Sequence, residues 1–181
     1  IAVFVVISLG LHFTFGMLNI VNLAHGEFLL IGAYAAFQIQ ELTGNVILGM
    51  ALAPAVAGLI GVVVERGILQ FLYARPFDTL LATFGVSIII RQAVQLGFTA
   101  NPRTVDDPIG GSFEVAGFNV PWWRFVIVIA AIVLIIVVLL VLDRTRFGLY
   151  ARATIRNPEL ADTMGINISL MRALLFGVGC A

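Results

Sequence analysis

The feature that most limits how this chain can fold is a run with no charge in it. Phe125 to Leu142 reads F-V-I-V-I-A-A-I-V-L-I-I-V-V-L-L-V-L, and Leu42 to Val64 is likewise uncharged. A bilayer hydrocarbon core about 30 Å thick takes roughly 20 apolar residues as a helix, so each run has the length of one crossing. Further apolar segments fall at 1–16, 28–40, 79–98 and from 173 onward, beside these two at 45–64 and 123–142. Composition agrees: 61% of the residues are hydrophobic and 11% are charged, against about 25% charged in soluble domains. Too few charges remain to coat a water-facing surface, and the expected fold is all-α, a polytopic transmembrane helix bundle.

Ile1 to Leu11 already lies in an apolar run, and Ala173 to Ala181 begins another. The expectation is a single transmembrane domain over 1–181, cut within a helix at each end. The formal net charge of zero gives no footprint for nucleic acid. Cys180 is the one cysteine, so no disulfide framework and no cysteine metal site are expected.

Orientation follows from the basic residues, all of which are Arg. Asp143 to Arg172 holds five of them and Glu65 to Asp78 holds Arg66 and Arg75, which places both connections in the cytoplasm. Thr99 to Pro121 has only Arg103 and falls outside. Its Asn101-Pro102, Asp107-Pro108 and Gly110-Gly111 steps are turn signals, and S-F-E-V-A-G-F-N-V reads as a short hairpin turning at Ala116-Gly117. Trp122 and Trp123 then open the next span, where an aromatic belt belongs. Before residue 45 the segments are short, and either two tilted spans or a broken, re-entrant segment fits.

Between those short segments lies a polar stretch. Asn19, Asn22, His25 and Glu27 sit within nine residues. On an unbroken helix Asn19, Asn22 and Gly26 share a face. A charged side chain at the centre of a span costs roughly 2.5–3.5 kcal/mol on insertion scales, so such residues face a cavity, a partner helix or the interface. They line a transport path or mark a pivot between helices; the plainer alternative is interhelical hydrogen bonding near the surface. His12 is the only other histidine and H-E-x-x-H is absent, which leaves no metalloenzyme signature and no expected cofactor.

The run G-M-L-N-I-V-N-L-A-H-G-E-F-L-L-I-G-A-Y, Gly16 to Tyr34, resembles the signature of the membrane permeases of ABC importers for branched-chain amino acids, a group that includes urea and short-amide importers. Glu65 to Ser87 is a second resemblance, and its R-P-x-D-T-L-L-A-T-x-G form is similar to the urea-type branch. Arg144 to Ile166, which contains Gly148 and Arg152, is the third. The resemblance implies a multi-pass permease of the bacterial cytoplasmic membrane that does not hydrolyse ATP itself. Its implied partners are ATP-binding cassette ATPase subunits, a second permease subunit and an extracytoplasmic substrate-binding protein. G-x-x-x-x-G-K-[ST] is indeed missing from the chain.

The third stretch has its own reading. Asn157-Pro158-Glu159 is a helix start, with Asn as N-cap, Pro at the first position and an acid in the first turn. Gly165 suits the left-handed residue that ends a helix. The enclosed helix of about seven residues is too short to stand alone in water, and Leu160 and Met164 give it one apolar face. By resemblance, Glu159, Ala161 and Gly165 take the places of the E-A-A loop that couples importer permeases to their ATPases, with Leu160 where the strict pattern has Ala. A basic loop resting on anionic lipid through Arg144, Arg146, Arg152 and Arg156 is the alternative.

Arg91 stands two-thirds along the 79–98 span. Snorkelling to the outer interface is the default expectation for it, and a place on the translocation path the other. The competing function class is a stand-alone channel or secondary transporter for small polar solutes. An integral membrane enzyme is disfavoured by the lack of any paired nucleophile and base.

Overall fold

The computed structural model describes residues 2–18, 21–73, 75–98, 111–115 and 118–181. These form helices and one two-stranded hairpin, as the composition requires. Helix α1 (Ala2–Leu11) runs into a π-helical turn at His12–Met17. Helices α2 (His25–Thr43), α3 (Val46–Gly67) and α4 (Pro76–Phe98) follow, with a 3-10 turn at Leu69–Phe71 between the last two. Strands β1 (Ser112–Val115) and β2 (Phe118–Pro121) pair antiparallel with Val115 opposite Phe118. The Ala116-Gly117 turn and the 99–110 turn signals lie outside the described residues. Helix α5 (Trp122–Arg144) leads to α6 (Arg146–Arg156), α7 (Pro158–Thr163) and α8 (Ile168–Cys180).

Among the described residues, three helices are long and apolar enough to cross a membrane, over Val46–Phe71, Pro76–Phe98 and Trp122–Arg144. Helix α5 buries only Ala131. Every other side chain it carries between Phe125 and Leu142 is apolar, so hydrocarbon solvates it without cost.

Helix α3 holds the bundle together. Its buried residues, Gly49, Ala53, Ala57, Gly61 and Glu65, recur every four positions. Such a row of small side chains lets neighbouring backbones approach, the main source of helix affinity in lipid. A Cβ on Gly49 would lie 2.6 Å from the Ala36 carbonyl of α2, and one on Gly61 would lie 2.9 Å from Cys180 of α8. The core beside this row is formed by Ala24, Phe28, Leu69, Val86, Ile90, Phe176 and Cys180. Within it the Phe28 and Phe176 rings meet edge to face, 6.1 Å between centroids. A second cluster, Phe13, Ala151, Met171 and Leu175, joins the π-helical turn to α6 and α8.

Two differences from the sequence reading stand out. Glu65 was expected to open a cytoplasmic connection; it instead ends the small-residue row of α3 and is fully buried. Arg146–Arg156, expected as loop, is a helix, because Thr145 caps it by accepting from the Gly148 amide and Ala151 and Thr154 give it a buried side.

Candidate functional site

Helix α2 begins at His25 and not further back, so Asn22 does not share a helical face with Gly26 as expected. Asn22 is buried just before the helix, where its Oδ1 accepts from the Ala24 amide at 3.0 Å. The same residue offers its carbonyl to the His25 amide. This turn starts α2 without a preceding helical turn. Asn19 lies outside the described residues.

Non-helical backbone at membrane depth is tolerated only where protein or water satisfies it. Here Thr83 of α4 does so. Its buried Oγ1 accepts from the Leu23 amide at 3.3 Å and lies 3.5 Å from the Val21 carbonyl. The short segment is thus held by a side chain sixty residues away in sequence.

Above it, the polar residues separate. His25 turns to α1, with Nε2 at 3.2 Å from the Ile7 carbonyl. Glu27 turns to α4, where Arg91 Nη2 approaches its Oε1 to 2.5 Å and Ser87 donates to the same oxygen at 3.3 Å. Arg91 therefore does not run outward to the interface. The Tyr34 and Phe98 rings, 4.6 Å apart between centroids, continue the contact in the same register. Glu27 stands about 24 Å below the end of α2, and Arg91 about 22 Å above the start of α4, at 1.5 Å per residue. The ion pair thus lies within the length of the α4 span, nearer the end of that helix than its start. The Glu27 side chain is 11% exposed and that of Arg91 62%. One carboxylate is sequestered while most of the cation stays accessible from the open side of α4.

At the cytoplasmic end the predicted short helix is present. Asn157 Oδ1 accepts from the Leu160 amide at 3.0 Å, and Pro158 is the first residue of α7. Gly165 has φ +81°. The Gly165 amide bonds the Asp162 carbonyl and the Ile166 amide the Ala161 carbonyl, the two closing bonds of a Schellman end. Ala161 is buried and anchors the helix, whereas Leu160 is 60% and Met164 78% exposed. Glu159 is exposed beside them. The apolar pair therefore faces away from the chain's own core.

Gly148 and Arg152 set the corner that presents α7. A Cβ on Gly148 would clash with the Leu142 backbone, and Arg152 donates to the Leu142 carbonyl while pairing with Asp143 at 3.5 Å. Both residues fix α6 against the end of α5.

A third cluster was not anticipated. Tyr73 donates to Glu65 Oε1 at 2.8 Å, and the Arg172 guanidinium lies 4.6 Å from the centroid of the Tyr73 ring. Burial, with the Glu65 carboxylate second, holds the Tyr73 hydroxyl well above its ordinary pKa, so it remains a donor. The signal for this cluster was a carboxylate continuing the four-residue rhythm of small residues. Among the described residues no group of three metal-ligating side chains comes together.

The whole chain, residues 1–181, matches the family described as branched-chain amino acid transport system / permease component. Among curated proteins it is similar to the high-affinity branched-chain amino acid transport system permease protein BraD of Pseudomonas aeruginosa, 25% identical over 98% of this chain and 63% of the relative. The probable branched-chain amino acid transport permease protein LivH of Methanocaldococcus jannaschii is 29% identical over 93% of this chain and 56% of its own length. LivH of Salmonella typhimurium is 25% identical, with 98% and 63% covered. The chain thus spans about three-fifths of the length of these relatives. No solved structure matches. With its apolar helices and these relatives together, the chain is a multi-pass protein of the cytoplasmic membrane and belongs to the family of branched-chain amino acid transport permease components.

Proposed function

We propose that this chain is part of the transmembrane subunit of an ABC importer that moves branched-chain amino acids inward by alternating access. An ATPase subunit in the cytoplasm drives it, a second permease subunit completes the path, and a soluble binding protein delivers the substrate outside. The chain carries no phosphate-binding loop of its own, so hydrolysis belongs to the partner.

The observation that supports this reading most directly is α7. A six-residue helix, capped at both ends and pinned through Ala161, turns Leu160 and Met164 outward. Lipid binding by a basic loop explains neither the caps nor the outward apolar pair. A groove in an ATPase subunit does: it buries the pair, and the rigid caps let a push on α7 arrive undiminished at α6 and α8. In this reading Gly148 and Arg152 keep the corner stiff. Asn22, His25, Glu27 and Arg91 form the pivot, where α2 meets α1 on one side and α4 on the other.

The substrate assignment rests on what the relatives are named for, and uptake decides it. Proteoliposomes holding the full permease with its partner ATPase, and with the binding protein outside, should take up leucine only when ATP is present on the ATPase side. Urea uptake exceeding leucine uptake would move the assignment to the urea-type branch. Uptake unaffected by ATP would overturn the importer reading.

A further inference from the structure

The Glu65, Tyr73 and Arg172 cluster joins three elements and lies apart from both the Glu27–Arg91 pair and the exposed face of α7. Glu65 ends the packed row of α3, Tyr73 belongs to the connection from α3 to α4, and Arg172 sits in the first turns of α8. Tyr73 and Arg172 share a cavity of about 380 Å³ with Leu18, with Thr154 of α6 and with Pro158, the first residue of α7. The root of the proposed coupling helix thus lines the same space as Tyr73 and Arg172.

Two buried oxygens have no hydrogen-bond partner among the described residues: Thr154 Oγ1, of a residue lining the cavity, and Glu65 Oε2, of the carboxylate that Tyr73 bonds. Leaving a buried acceptor unpaired is unfavourable, more so for a carboxylate that is 0% exposed. Arg172 carries several donors in a planar fork that suits a carboxylate. It nevertheless lies over the Tyr73 ring and forms no ion pair among the described residues. The tyrosine therefore holds both: its hydroxyl takes one oxygen of Glu65, and its ring face takes the cation.

We propose that Arg172 is a positioning residue that carries displacement of α7 into the spans, resting on Tyr73 in the present arrangement and transferring to the free oxygen of Glu65 when the α6–α7 corner moves. The linkage rests on the importer reading, because the displacement comes from the ATPase. It adds to that reading a named latch at the inner mouth. Pressure on Pro158 and Thr154 reduces the cavity and pushes Arg172 off the ring. The new ion pair then ties the start of α8 to the end of α3.

The test uses the reconstituted importer with its ATPase and binding protein, and reads leucine transported per ATP hydrolysed. Arg172→Gln and Glu65→Gln should each lower that ratio about tenfold, a coupling effect of ordinary size for two linked sites, while the ATPase still co-purifies. The double variant should be no worse than either single one, because both remove the same pair. Arg172→Lys should recover part of the ratio. Tyr73→Phe keeps the ring and removes the hydroxyl from Glu65; it should also lower the ratio, and it carries the test if the charge variants do not reach the membrane. Unchanged ratios in Tyr73→Phe and Arg172→Gln, or strictly multiplicative losses in the double variant, would overturn the latch. A wild-type complex that transports without ATP would instead remove the importer reading, and the latch with it.

Discussion

Arg91 on α4 is held 2.5 Å from Glu27 at the start of α2, two residues separated by 64 positions and joined within the length of the α4 span. The carboxylate is the enclosed member of the pair and the guanidinium the open one. An ionised group at this depth needs a partner or a watery path, and Arg91 has the first on one side and room for the second on the other.

Removing one member should therefore cost more than removing both. Arg91→Leu leaves Glu27 enclosed without its cation, and a loss of about 1.5–3 kcal/mol is expected, the range for a hydrogen bond to a charged group. Glu27→Gln/Arg91→Gln should lose less than Glu27→Gln or Arg91→Gln alone. Thermal unfolding in detergent measures all of these, and additive losses would show that the pair does not act as a unit.

Thr83 should behave as a structural hydroxyl. Thr83→Val keeps the shape but withdraws the acceptor from the Leu23 amide, at an expected cost of about 1–3 kcal/mol for a buried group left unpaired. Thr83→Ser should retain most of the stability. Hydrogen exchange at Leu23 gives a local readout, and equal protection in the valine and serine variants would contradict the role.

The small-residue row of α3 predicts a contrast between two glycines. Gly49→Ala drives a Cβ to 2.6 Å from the Ala36 carbonyl, a backbone atom that cannot rotate away. Overpacking of this kind costs about 1–3 kcal/mol. Gly85→Ala in α4 meets nothing within 4 Å and should be neutral or stabilising by about 0.5–1 kcal/mol. Equal effects on the melting temperature would mean that α2 and α3 do not pack as closely as described.

The ends of α7 can be weakened one at a time. Asn157→Ala removes the side chain that caps the Leu160 amide, for about 1 kcal/mol. Gly165→Val forces a branched residue to φ +81°, at roughly 1–2 kcal/mol or more. Both changes lie outside the spans, so membrane insertion should be normal while transport falls. Glu159→Arg should likewise lower transport without affecting insertion. Wild-type uptake in all three would separate α7 from coupling.

The parts of this architecture that depend on local pattern were legible in the sequence. The charge-free run at Phe125–Leu142 gave α5, the Asn157-Pro158 and Gly165 pair gave both ends of α7, and S-F-E-V with F-N-V gave the two strands. Each of these is decided within one turn or one strand pair. What was not legible depends on contacts between distant elements. Nothing near Arg91 in sequence announces Glu27, and snorkelling is the sensible expectation for an isolated helix. The burial of Glu65 follows from the approach of α8 to α3. The start of α2 at His25 depends on Thr83, which satisfies the backbone that an unbroken helix would have satisfied internally. Helix α6 was within reach: Thr145 three residues before Gly148 is a cap, and Arg152 and Arg156 stand i, i+4 among apolar residues after it.

The central claim is that α7 passes work from an ATPase to the spans through Leu160 and Met164, and co-purification tests it most directly. The double variant Leu160→Asp/Met164→Asp, made in the full permease and expressed with its ATPase and binding protein, should insert and stay monodisperse in detergent. It should lose the ATPase from the purified complex and with it ATP-driven leucine uptake. Retention of the ATPase in wild-type proportion, with wild-type uptake, would contradict the account.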